Sequence, residues 1–194
     1  MPSPYLNVPP DQWRATTESL LDAHPLDRDE LVEIVLSSWN AIFESRLAGK
    51  FEIGSDIFPK PQIMGFLLHE LVPLELASRY PNSWRPEKDK KDKDIVYIPD
   101  TSFSVEIKTS SSPGSIFGNR SYAQEMVGEG KSKDGYYLAI NFGKFSGNRR
   151  PEIARIRFGW LDHTDWLAQK AATGQQARLS PAVELTKLLL LYGR

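Results

Sequence analysis

Apolar positions along this chain follow a helical period first and a strand period later. Over residues 11–24, Trp13, Leu20 and Leu21 recur on one stripe and predict a first helix. Asp27 and Glu30 have capping-box spacing, with Asp in place of the usual Ser or Thr. Leu31, Ile34, Val35, Ser38, Ile42 and Phe43 continue at helical spacing, and Gly49 reads as a stop. Residues 61–80, with the run IMGFLLHELVPLELASRY, predict a third helix, interrupted or kinked at Pro73. Residues 81–93, PNSWRPEKDKKDK, read as a solvated polar loop.

From residue 95 the period falls to two. Ile95 to Ile98 predict a short strand, Pro99-Asp100-Thr101-Ser102 a turn, and Phe103 to Thr109 a second strand. Residues 110–120, SSSPGSIFGNR, read as loop, and Tyr122 to Val127 as a short helix. Tyr136 to Phe142 and Ile153 to Trp160 predict two further strands. Ser180 as N-cap, Pro181 at the first helical position and the apolar run to Leu191 predict a closing helix, with Gly193 just past its end. The order gives a mixed α/β chain, read as one domain: a helical part over 1–58, a core over 59–169 and a C-terminal helix within 170–194.

Composition narrows the chemistry. With 194 residues and 40% hydrophobic positions the chain has enough apolar surface for one sizeable core. The absence of cysteine excludes disulfides, thiolate zinc sites, iron–sulfur clusters and cysteine nucleophiles. No apolar run approaches the roughly 18 residues of a membrane span. Met1 to Pro10 lack the basic and apolar regions of a signal peptide, so a soluble cytoplasmic protein with no membrane partner is expected.

Net charge is −1, but it is unevenly placed. Residues 1–105 carry eleven basic and seventeen acidic side chains; residues 106–194 carry thirteen and eight. A basic C-terminal half suits a phosphate-facing surface.

The stretch from Asp94 through Glu106-Ile107-Lys108 carries the candidate chemistry. On a strand Glu106 and Lys108 share a face while Ile107 enters the other. A hairpin would return the start of the first strand to the second, so Asp94 converges with them. Two carboxylates suit Mg²⁺, which takes hard oxygen ligands and keeps water and substrate phosphate in its remaining positions. The carbonyl of Ile107 adds a third oxygen. Lysine beside such a centre orients the attacking water and offsets charge on the phosphorus. The bland alternative is an ordinary solvent-facing Glu-x-Lys strand.

The stretch resembles the PD-(D/E)xK nuclease superfamily, whose signature is an acidic residue, a β-hairpin and then E-x-K. Pro99-Asp100 is the literal Pro-Asp pair, but Asp100 lies inside the apparent turn. Asp94 precedes an apolar strand and is the better match, although Lys93 stands before it instead of Pro. The wider context resembles type II restriction endonucleases, most of all the ScaI-type family. The likeness is clearest in DIVYIPDTSFSVEIKTSSSPGSIFGNRSYAQ (94–124) and continues through GYYLAINFGKF (135–145) and IARIRFGWLDHTDW (153–166).

The resemblance implies a mixed sheet flanked by helices and Mg²⁺-dependent cleavage of double-stranded DNA at a short, palindromic site by a homodimer. It also implies an acidic residue on the helix before the hairpin, here Glu70 with Glu75 second. A cognate DNA methyltransferase would be a separate protein. Beside the proposed centre, Ser110, Ser111, Ser112, Gly114, Asn119 and Arg120 are candidates for DNA contact, as are Lys144, Arg149 and Arg150 in a second basic loop. The histidines form no zinc motif: His69-Glu70 lacks the second histidine of H-E-x-x-H, His24 closes a helix, and His163 belongs to a turn. The alternatives are a repair or recombination nuclease of the same superfamily, such as a Holliday junction resolvase, and a non-catalytic DNA-binding module.

Overall fold

A computed structural model describes residues 2–125, 130–147, 149–171 and 173–193. After a 3-10 turn at Pro10–Gln12 come α1 (Trp13–Asp22) and α2 (Arg28–Glu44), then a small ribbon of β1 (Arg46–Leu47) and β2 (Phe51–Glu52). α3 (Pro61–Arg79) leads to β3 (Trp84–Pro86), β4 (Ile95–Tyr97), a 3-10 turn at Thr101–Phe103 and β5 (Val105–Ser110). Next are β6 (Phe117–Asn119), a 3-10 turn at Arg120–Ala123, β7 (Gly135–Phe142), β8 (Ile153–Leu161), a 3-10 turn at His163–Asp165 and β9 (Trp166–Ala168). The chain closes with β10 (Gln176–Leu179), α4 (Pro181–Thr186) and β11 (Leu188–Gly193).

Six strands form the central sheet in the order β11-β8-β7-β5-β4-β3, parallel only between β5 and β7. Alternation divides the strands between two cores. Val105 and Ile107 of β5 and Tyr136, Leu138 and Ile140 of β7 pack under the helices with Leu31, Ile34, Ile42, Met64, Leu68 and Leu76. Tyr137 and Ala139 face the other way, into a core with Ile116, Tyr122, Trp166, Leu179 and Val183. That second face is covered by a three-stranded sheet, β6-β10-β9, and α4. The mixed sheet flanked by helices, with a helical N-terminal part, is the fold class expected from the sequence. No helix among the described residues is long and apolar enough to cross a membrane.

Several local expectations change. Asp27 caps α2 by accepting from Glu30 N at 2.9 Å, but the Glu30 side chain accepts from the Tyr80 hydroxyl at 2.6 Å. α2 ends at Glu44, and Gly49 serves the β1–β2 turn with φ 70°. α3 runs uninterrupted through Pro73, which is buried. The segment 81–93 contains a strand, because Trp84 is buried and β3 pairs with β4. Residues 110–120 include β6, the partner of β10. The 3-10 turn holds only Tyr122 and Ala123 of the short helix expected there, and Met126 and Val127 lie outside the described residues.

The largest change is at the C-terminus. Ser180 accepts from Val183 N at 3.3 Å and caps α4 as expected, yet the helix stops at Thr186. The apolar residues that follow form β11 against β8, with Leu188 opposite Gly159. Buried Lys187 secures this switch by binding Asp165 at 2.8 Å and Asp162 at 3.2 Å. A run of leucines satisfies either a helix stripe or a buried strand, and the open edge of β8 decides it.

His24 follows the end of α1 as expected, and its ring is buried among Trp84, Phe103, Tyr136 and Phe158. Its Nδ1 accepts from Leu26 N at 3.1 Å, so Nε2 carries the proton and donates to the Phe103 carbonyl at 3.0 Å. Burial lowers its pKa to about 4. Protonation then favours the unfolded chain, so this contribution is whole above about pH 6.5 and lost as pH falls toward the folded value, on the order of 3 kcal/mol in all. Urea midpoints measured between about pH 7 and pH 4.5 should fall more steeply for the native chain than for His24→Asn. Equal slopes would remove His24 as the cause.

Candidate active site

The register of β4 and β5 sets the site. Ile95 pairs with Val105 in antiparallel sense, so Asp94, one residue earlier, is level with Glu106, one residue later. β5 starts at Val105 instead of Phe103, so Glu106 is near its beginning and not near its end. The Asp94 carboxylate accepts the N–H of Ile107 at 2.6 Å, fixing it beside the Glu106 strand. Asp100 is elsewhere: exposed, it caps the 3-10 turn by accepting from Ser102 N at 2.9 Å.

Glu106 and Lys108 point to the face covered by the small sheet. Glu106 Oε1 accepts from Lys108 Nζ at 2.7 Å and from the Tyr122 hydroxyl at 2.5 Å. Lys108 Nζ also donates to the Ile107 carbonyl at 3.1 Å and sits 4.6 Å from the Tyr122 ring centre. Lys131 stands between the carboxylates, 2.8 Å from Asp94 Oδ1 and 2.7 Å from Glu106 Oε2. The latter oxygen is buried, and the Lys131 ammonium is the group that meets it. Glu87 lies 3.7 Å from the same ammonium.

The electrostatics follow from burial and pairing. Burial alone would raise both carboxyl pKa values. For Asp94 it is outweighed by the His69 ring, 3.5 Å away, and by Lys108 and Lys131, so its carboxyl is held well below the usual range. For Glu106 the charges of Lys108, Lys131 and Lys93 outweigh both burial and the repulsion of Asp94. Lys131 is raised because Glu106 and Asp94 together exceed its desolvation. Tyr122 is pushed up, by burial first and then by Glu106, and so stays a proton donor to that carboxylate. Both acids are therefore ionised near neutrality.

Sequence reasoning misses four contributors: His69, Tyr122, Lys131 and Lys93. Lys93 belongs to a run expected to be solvated, yet it is buried, donates to Ser132 O at 3.2 Å and lies 5.2 Å from the Tyr137 ring centre. Burial lowers its pKa to about 8. His69 reaches Asp94 because Gly65, one turn earlier on α3, lets the helix approach β5: a Cβ there would lie 2.5 Å from Thr109 Oγ1. Lys131 and Lys133 sit just before β7, which runs parallel to β5 and so begins at the same edge.

A groove runs outward from the site, lined by His69, Glu70, Ser110, Ser111, Ser112 and Lys144. Glu70 is exposed on its wall, while Glu75 is turned away and bonded to Arg79 at 2.9 Å. Asn119 lines a smaller recess with Lys108 and Tyr122. The serine loop is held from beneath: Asn141 donates to Ser112 O and Ser115 O, and buried Arg157 donates to Gly114 O at 2.6 Å. Arg120 NH1 is directed to the carbonyls of Ala171 and Gly174. Arg150 bonds Asn40 at 2.8 Å and covers the Phe43 ring, while Arg149 is exposed at the tip of the same loop.

Among the described residues no cluster of three or more His, Asp or Glu side chains is arranged for a metal. The oxygens that converge are Asp94 Oδ1, Glu106 Oε2 and, beside them, the Ile107 carbonyl. All are hard donors, two are carboxylates, and a cation already lies between them. That set fits Mg²⁺, which uses one or two carboxylates and retains several waters, better than a metal needing a full protein cage.

The sequence profile of the ScaI restriction endonuclease family matches residues 3–192. The type II restriction enzyme ScaI of Streptomyces caespitosus is 53% identical over 193 residues, spanning 98% of this chain and 85% of that protein. An acidic residue at the head of one strand, an E-x-K strand beside it and a match along nearly the whole length lead to one conclusion: the chain belongs to the ScaI restriction endonuclease family.

Proposed function

We propose that this protein is a Mg²⁺-dependent site-specific endonuclease that hydrolyses phosphodiester bonds in double-stranded DNA. The observation that carries the reading is the convergence of Asp94, Glu106 and Lys108, with Lys108 in a recess that shares His69 and Thr109 with the serine-lined groove. Asp94 and Glu106, with the Ile107 carbonyl, would hold the ion. When bound, Mg²⁺ supplies positive charge to the phosphoryl oxygen and eases ionisation of the attacking water.

The chain's own groups do the rest. Lys108, fixed by Glu106 and the Ile107 carbonyl, orients water and offsets charge on the phosphorus. The Tyr122 hydroxyl holds Glu106 in one rotamer. Ser110, Ser111, Ser112 and Lys144 hold the backbone along the groove, with Glu70 on its wall as a further acid. One subunit cuts one strand, so a palindromic target calls for a two-fold homodimer. Host DNA then needs protection, the role of a separate methyltransferase. Family membership favours this over a junction resolvase or a non-catalytic module.

Incubation with plasmid and phage DNA should give discrete bands with Mg²⁺ and none without it. Asp94→Ala, Glu106→Ala and Lys108→Ala should each abolish cleavage while far-UV circular dichroism is unchanged. Wild-type cleavage by any of the three sinks its assigned role, and cleavage in chelator sinks the metal.

Lys131 allows a separate check. It neutralises the acids where the ion would bind, so Lys131→Met should lower the melting temperature of metal-free protein and tighten Mn²⁺ binding roughly tenfold, about 1.4 kcal/mol. Lys131→Arg should restore wild-type behaviour. Unchanged or weaker Mn²⁺ binding in Lys131→Met would show that Lys131 does not compete for the site.

A further inference from the structure

The three-stranded sheet turns one face to the core and the other outward. Along β10, Ala177 and Leu179 are buried while Gln176 and Arg178 are exposed. On β6, Gly118 is buried while Phe117 and Asn119 face out. The register sets Asn119 opposite Gln176, and Arg178 between Phe117 on one side and Leu167 of β9 on the other. Phe117 is 41% exposed and Leu167 is 48% exposed. The face therefore combines an amide pair, a guanidinium and two open apolar side chains. Among the described residues, Asn119, Gln176 and Arg178 have no side-chain hydrogen-bond partner.

This face is continuous with the active site. Phe117 and Gln176 line the groove with Ser110–Ser112 and also the recess that holds Lys108 and His69. On the far side, Phe117, Gln176 and Arg178 line a concavity that includes Lys170.

The face is also held rigidly relative to the cutting centre. A Cβ at Gly118 would lie 3.0 Å from the Tyr122 ring and 3.2 Å from the Trp166 ring, so the β6 backbone rests directly on both. Tyr122, which supports β6, is the residue whose hydroxyl binds Glu106. Arg120, next to Asn119, braces the β9–β10 connection through the carbonyls of Ala171 and Gly174.

We infer that the outward face of β6 and β10 reads base edges of the DNA duplex, with Asn119, Gln176 and Arg178 as specificity-determining residues. The major groove admits a β-ribbon. Paired amides match the N6 and N7 edge of adenine, and the guanidinium fork matches O6 and N7 of guanine. Phe117 and Leu167 suit thymine methyl groups. Lys170 at the margin suits a phosphate. In this arrangement the serine loop and Lys144 set the register on the backbone, and the sheet supplies the sequence information. The inference rests on the endonuclease reading above.

The test is cleavage of linear duplexes with a randomised central window, sequenced across the cut ends, for the native chain and for Asn119→Ala, Gln176→Ala, Arg178→Ala and Arg178→Lys. Preference is a ratio between sequences, so a lower folded fraction does not move it. The amide variants should lose discrimination at adenine positions, and both Arg178 variants at guanine positions, by about fivefold or more. Arg178→Lys keeps the charge but loses the fork, so it separates base reading from phosphate attraction. A variant too slow to score is read by Ca²⁺-supported binding to the same pool under the same criteria. Unchanged preference in all four overturns the inference, whether cleavage is unaffected or falls uniformly at every sequence. No cleavage or binding by the native chain overturns the endonuclease reading instead, and this one with it.

Discussion

Two carboxylates held together out of bulk solvent constrain everything around them. Asp94 and Glu106 are 12% and 4% exposed and close enough for one ammonium to reach both. Unpaired, they would repel each other, and one would take up a proton. The fold answers with cations from different elements, Lys108 on the same strand, Lys131 before β7 and Lys93 before β4, and sets the His69 ring of α3 beside Asp94. Oriented donors complete the set, namely the Ile107 N–H and the Tyr122 hydroxyl. Removing one buried partner leaves an uncompensated charge, so these distant segments are coupled through the site.

Topology makes the meeting possible. β5 lies inside the sheet with β4 antiparallel on one side and β7 parallel on the other. The chain therefore enters β4, β5 and β7 such that residue 94, residue 106 and the 131–133 segment all reach one end. Alternation then sends Ile107 into the helical core and leaves Glu106 and Lys108 facing Tyr122. A one-residue slip of β5 would exchange these faces, burying charge under the helices. The apolar pattern of the strand and the ionic pattern of the site thus enforce the same register.

How much of this is legible follows from which signals are local. The pairing of Asp94 with Glu106-x-Lys108 is readable because strand alternation and a hairpin are local rules, and the rejection of Asp100 rests on its place in the turn. Lys131, Tyr122 and His69 carry no local mark. Their roles arise from a parallel crossover, from a 3-10 turn that continues a short strand, and from a helix brought close by Gly65. The C-terminal leucines illustrate the same limit. Ser180 and Pro181 announce a helix start correctly, but where the helix yields to β11 is decided by the free edge of β8 and by Lys187 reaching Asp165. Lys93 is hidden by its charged neighbours, and the groups that bury it, Ser132 and the Tyr137 ring, come some forty residues later in the chain.

The near-neutral chain and its role on a polyanion are compatible because charge is organised locally. Asp94 and Glu106 pair with Lys108 and Lys131 in the metal-free centre, so those ammonium groups are already answered by carboxylates. A divalent ion added there contributes two positive charges without bringing an anion, in a setting where solvent screens weakly. The same centre is mechanically tied through Tyr122 to β6 and hence to the exposed amides and guanidinium of the small sheet. Charge at the centre and side-chain pattern on the sheet then act on different properties of DNA: the first on the backbone common to all sequences, the second on base edges that differ. Joining them through one buried ring is how a small chain can make cutting conditional on reading.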